Sequence, residues 1–137
     1  LERKMALLAE GLEDEARSAE IPVYVEQIGS MMTLFFLDTD RSQIHNQVLE
    51  TTASGGKVVR STATSSSGNS FSGKITDWAS ASARCDTVRY AKYFWEMLDR
   101  GFYFPCSQFE AFFMSTEITE SEIQATIEAA KEVFETL

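Results

Sequence analysis

Glu110 lies in Phe104-Pro105-Cys106-Ser107-Gln108-Phe109-Glu110-Ala111, a carboxylate between the aromatic side chains Phe109 and Phe112. A carboxylate buried without partners is expensive, so Glu110 must be solvated, hydrogen-bonded or part of a site. Alternation alone puts Glu110 on the wet side of a short strand, with Phe109 and Ala111 packed inward, Gln108 exposed and Ser107 capping a turn. The other chemically able residues offer less. His45 is the single histidine and has no partnered Ser or Cys in a recognisable motif, which argues against a triad. Ser54-Gly55-Gly56-Lys57 lacks the leading glycine of a phosphate loop and is followed by Val58 where Ser or Thr is needed. Lys4, Lys57, Lys74, Lys92 and Lys131 fall on polar helix faces or in polar segments, not where burial would lower an amine's pKa. Cys85 and Cys106 are far apart with no CxxC spacing, so reduced thiols are expected, not a zinc site or a disulfide.

The chain that must position these groups has 137 residues, enough for one domain with its own core. Its formal charge of -9 argues against a nucleic-acid partner, which demands clustered Lys and Arg. No run of about 18 apolar residues could cross a membrane, and the opening LERKMALLAEGLEDEAR is too charged for a signal peptide. A soluble intracellular protein is expected. The sequence starts without Met, inside what reads as a helix, which suggests a piece of a larger protein.

Leu1, Met5, Leu8, Leu12 and Ala16 recur at helical spacing and predict an amphipathic helix to about residue 19. Pro22 excludes its continuation. Val23 to Ile28 and Met31 to Leu37 read as strands separated by Gly29-Ser30, the second apolar on both faces as if covered on both sides. From Thr51 to Gly73 Ser, Thr, Gly and Asn dominate with no period that could bury a face, which predicts a flexible loop. Asp86 and Thr87 can cap a helix whose Tyr90, Phe94, Met97 and Leu98 form its apolar stripe and which stops at Gly101. FYFP and FEAFFM read as short β segments around the Pro-Cys-Ser-Gln turn. Thr119-Glu120-Ser121-Glu122 has the form of a capping box before the stripe Ile123, Ile127, Ala130 and Phe134. Helices with one apolar stripe each, packed on a small and mainly antiparallel sheet, make an α+β fold.

Gly-Ser-Met-Met-Thr-Leu-Phe-Phe at 29–36 and Ser-Gln-Phe-Glu-Ala at 107–111 carry a resemblance, supported by KITDWASASARCDTVRYAKYFWEMLDRGFYFPC and TESEIQATIEAAKEVF. They are similar to the C-terminal part of the glutamate-1-semialdehyde 2,1-aminomutase family, class III aminotransferases of fold type I. The likeness covers nearly everything outside the polar loop. It implies that residues 1–137 form the small α+β domain of a larger enzyme, packed against a large domain that holds pyridoxal 5'-phosphate on a lysine. It further implies a homodimer that converts glutamate 1-semialdehyde to 5-aminolevulinate for tetrapyrrole synthesis, in the cytoplasm or the plastid stroma. The cofactor would supply the electron sink and the protein its placement. On this resemblance Glu110 matches the acidic residue that approaches the cofactor region from the small domain. Ser107 and Gln108 match its neighbours in the turn, and Gly29, Ser30 and Met31 match the segment at the domain boundary.

The chain departs from the family pattern at Cys106, where proline is usual, and at Met32, Cys85 and Ile118. Residues 39–72 are extra against the family, an insertion that closure entropy tolerates because it grows only logarithmically with length. Without the cofactor lysine this chain alone is expected to be inactive. The small domain of another class III aminotransferase, or a truncated paralogue that acts by binding, are the alternative readings.

Overall fold

The computed structural model describes residues 1–38 and 75–137. The expected insertion at 39–72, with His45, the Ser54 to Lys57 stretch and Lys74 beside it, lies outside the described residues.

Helix α1 (Glu2–Ser18) buries Met5, Leu8, Ala9, Leu12 and Ala16, the stripe its spacing calls for, while Leu1 stays exposed. It stops where Glu20 enters the left-handed region at φ 60° and Ile21 N–H donates back to the Ala16 carbonyl at 2.8 Å. Strands β1 (Val23–Ile28) and β2 (Met31–Phe36) then form an antiparallel hairpin that pairs Ile28 with Met31. Its two-residue loop needs a positive φ at the first position, and Gly29 supplies 61°.

Helix α2 (Trp78–Arg84) escapes the hydrophobic pattern because it is too short and too rich in Ser and Ala to show a stripe. Its capping box is explicit nonetheless: Asp77 accepts from Ser80 N–H at 2.7 Å, and Ser80 Oγ accepts from Asp77 N–H at 3.1 Å. Helix α3 (Thr87–Asp99) is capped by Asp86, which accepts from Arg89 N–H at 2.9 Å, and buries Tyr90, Tyr93, Phe94 and Met97. Tyr93 takes the fully buried place expected of Leu98, which is only partly covered. Strand β3 is Phe112–Phe113, and helix α4 (Glu120–Phe134) begins at the expected Thr119–Glu122 box.

The sheet runs β1-β2-β3, antiparallel throughout, so the α+β expectation holds. On one face Met32, Leu34 and Phe36 sink among α1, α3 and α4. Phe36 is the centre of that core, its ring 5.1 Å from Tyr93 and 6.0 Å from Phe134. On the other face Met31, Thr33 and Phe35 are half-buried, and a small cluster of Leu37, Ile75, Ala81 and Cys85 covers only the Tyr24 and Phe35 end. Among the described residues β2 is therefore fully covered on one side only.

FYFP is not a strand, and FEAFFM contributes only Phe112–Phe113. The reason is local: the outward N–H of Phe36 is taken by Gln108 Oε1 at 2.8 Å and its carbonyl by Asp86 N–H at 2.8 Å. No backbone strand can pair where both groups are already satisfied.

Candidate functional site

The segment 104–110 is a turn anchored to the fold at two points and closed by a third set of bonds within itself. The Tyr90 hydroxyl donates to the Pro105 carbonyl at 2.6 Å, so a helix α3 residue grips its entry. Gln108 reaches Phe36. Ser107 closes the turn on itself, its Oγ accepting from Phe109 N–H at 3.2 Å and its carbonyl from Glu110 N–H at 3.1 Å. The Ser107 cap matches the sequence reading.

Gln108 corrects it. It is 2 % exposed, not solvated, because its carbonyl substitutes for a strand at the β2 edge. Phe109 and Ala111 in turn point outward, not into a core, since the chain there is a turn with no period of two. Glu110 is exposed, as alternation implied but for a different reason. Its carboxylate lies 4.0 Å from Cys106 Sγ and makes no ion pair among the described residues. Phe109 meets Trp78 of α2 edge to face at 5.1 Å, and both rings remain accessible beside the carboxylate. Neither Trp78 nor the Tyr90 hydroxyl was marked by spacing as part of this place.

Burial holds the Tyr90 hydroxyl well above its ordinary pKa, and the neighbouring Cys106 and Glu110 charges add to it. Tyr90 therefore stays a neutral donor to Pro105 across the working range of pH.

Gly29, Ser30 and Met31 are not brought to this turn. They sit at the far end of β2, where Ser30 accepts from Met114 N–H at 2.9 Å and Met31 pairs with Phe113. Five strand steps separate Met31 from Phe36, roughly 17 Å at the usual rise. Ile28 of β1 and Phe113 of β3, the cross-strand partners of Met31 on its two sides, are exposed, so a second accessible place lies at that end of the sheet, joined to the turn by residues 111–114.

Lys4 Nζ donates to the carbonyls of Thr116 and Ile118 at 3.1 and 2.5 Å, and Lys92 and Lys131 are exposed. No group of three or more His, Cys, Asp or Glu able to hold a metal occurs among the described residues. No described helix is long and apolar enough to cross a membrane.

Three curated relatives are similar to this chain along nearly its whole length. The chain is 36% identical over 135 residues to the glutamate-1-semialdehyde 2,1-aminomutase of Heliobacterium modesticaldum, which covers 98% of this chain and 23% of that protein. The Desulforudis audaxviator protein of the same name is 36% identical over 134 residues, and that of Rhodopirellula baltica 34% identical over 137. The chain thus spans about a quarter of the length of these curated relatives, 23% in each case. No family model matches it.

Proposed function

Because this chain is a relative of the glutamate-1-semialdehyde 2,1-aminomutases along nearly its whole length, we propose that it is the small C-terminal domain of such an enzyme. The reaction is the conversion of glutamate 1-semialdehyde to 5-aminolevulinate, by a homodimer whose remaining residues hold pyridoxal 5'-phosphate. When bound, that cofactor supplies the electron sink on which an amino group can move between adjacent carbons. The observation that carries the reading is the similarity over 98% of the chain, together with an exposed carboxylate on a turn tied to the fold at two points and closed on itself. A charge at a reaction centre acts through its position, and a turn fixed in this way holds the backbone from which the Glu110 carboxylate extends before any partner arrives.

In this reading Glu110 faces the reaction region, Ser107 and Gln108 set the turn, and Gly29, Ser30 and Met31 meet the large domain at the other end of β2. The accessible Ile28 and Phe113 fit an apolar contact at that boundary.

The test is a chimera: the matching segment of the Heliobacterium modesticaldum relative is replaced by this chain and expressed in a bacterium that needs added 5-aminolevulinate. Growth without the supplement is expected. A soluble chimera that binds pyridoxal phosphate yet does not convert glutamate 1-semialdehyde overturns the reading. The isolated chain, mixed with the cofactor, should develop no visible absorbance band. A stoichiometric band means that the cofactor site is here and not in the remainder.

A further inference from the structure

We propose that Gln108 is the positioning residue for Glu110, an inference that rests on the reading of Glu110 given above. The two are separated by Phe109 alone. Gln108 is locked to the centre of the core through Phe36, itself fully buried, and the next two amides are held by Ser107, so Glu110 has little freedom left relative to β2.

The amide can work in one orientation only. Turned by half a rotation, Nε2 would bring a donor against the Phe36 N–H, and two donors cannot bond. Nε2 finds no acceptor among the described residues, so the single bond from Oε1 does the holding. The place demands a neutral acceptor on a four-atom reach. Met fills the volume and accepts only weakly through its sulfur. Glu reaches as far, but its charged form would be left buried.

The test uses that chemistry in the 137-residue chain. Gln108→Met should speed exchange of the Phe36 amide about tenfold and cleavage after Glu110 by a Glu-specific protease by a similar factor, the Tyr93 amide in α3 being unchanged. Gln108→Glu should restore protection at low pH, where the neutral acid accepts through its carbonyl, and lose it as the pH rises and the carboxyl ionises. A purely volumetric role predicts instead that Gln108→Met keeps full protection, since its volume is preserved. Unchanged exchange in Gln108→Met, or a flat profile in Gln108→Glu, overturns the proposal. Should Gln108→Met not fold, the scalar coupling across the hydrogen bond between Phe36 N and the Gln108 side-chain carbonyl carbon in the wild-type chain carries the test, and its absence overturns the proposal. In the chimera, Gln108→Met should lower kcat about tenfold with KM and cofactor content unchanged. If Glu110→Gln lowers kcat and Gln108→Met does not, this inference fails and the role of Glu110 stands. If neither lowers it, the role of Glu110 has failed.

Discussion

Gln108 accepts the Phe36 amide proton at 2.8 Å across 72 residues of chain and stands where the next strand would stand on the edge of β2. The contact ends the sheet there, since a ladder position filled by a side chain leaves nothing for another backbone to pair with. It also converts what would be a strand into a turn, and so determines that Glu110 and Cys106 lie four residues apart on one accessible surface.

Glu110→Gln should leave stability nearly untouched and change turnover. The side chain is exposed and its one hydrogen-bond partner among the described residues is Cys106 at 4.0 Å, so the unfolding free energy should move by less than about 0.5 kcal/mol. In the chimera kcat should fall. Normal kinetics combined with a large loss of melting temperature would return Glu110 to a structural role.

Gly11→Ala should destabilise, against helix propensity. A Cβ at position 11 of α1 would lie 2.3 Å from Ile127 Cδ1 and 2.8 Å from its Cγ1, so α1 and α4 meet where only hydrogen fits. Overpacking of about 1–3 kcal/mol outweighs the gain of about 1 kcal/mol from replacing a helical glycine. Urea unfolding should show the loss, and Ile127→Val, which removes the nearest carbon, should recover part of it in the double variant. Equal stability of Gly11→Ala and wild type would mean that Ile127 turns aside freely.

Thr119→Ala should cost about 1 kcal/mol, the usual worth of a helix N-cap. Its hydroxyl accepts from Glu122 N–H at 3.2 Å, and the Glu122 carboxylate accepts from Thr119 N–H at 2.7 Å. Denaturant midpoints measure it; a negligible change would mean that the return bond from Thr119 N–H holds the helix start by itself.

Stability should fall in alkali in a window set by Cys85. Burial pushes its thiol up to about 11 from an ordinary 9.0. The folded state therefore keeps a proton that the unfolded state releases, so the contribution is whole below pH 9 and is lost as pH rises towards 11. Two pH units correspond to about 2–3 kcal/mol. Cys85→Ala should flatten the stability curve between pH 9 and 10; above that Tyr24, Tyr90 and Tyr93, all held by burial above their ordinary 10.0, add their own loss, and an unchanged slope below pH 10 would take Cys85 out of the account. Alkylation at neutral pH should label Cys106, which is exposed, well before Cys85.

Much of this fold is written in local chemistry. The α1 stripe, the Gly29 hairpin, the Asp86 cap and the Thr119 box are each decided within a few residues, by helical spacing or by a side chain reaching a nearby amide. α2 shows the limit of the stripe as a signal, because a seven-residue helix can be defined by its cap alone. The likeness to the aminomutases was also legible, in GSMMTLFF and SQFEA, and the candidate residues at 107, 108 and 110 came with it. What the sequence could not express is the contact between Gln108 and Phe36: a polar residue in a turn reads as wet unless something distant needs its carbonyl. Only the folded chain brings an unpaired edge amide to it. That one bond buries Gln108, turns Phe109 and Ala111 outward and keeps Glu110 apart from the Gly29 to Met31 hairpin, since the length of β2 lies between them.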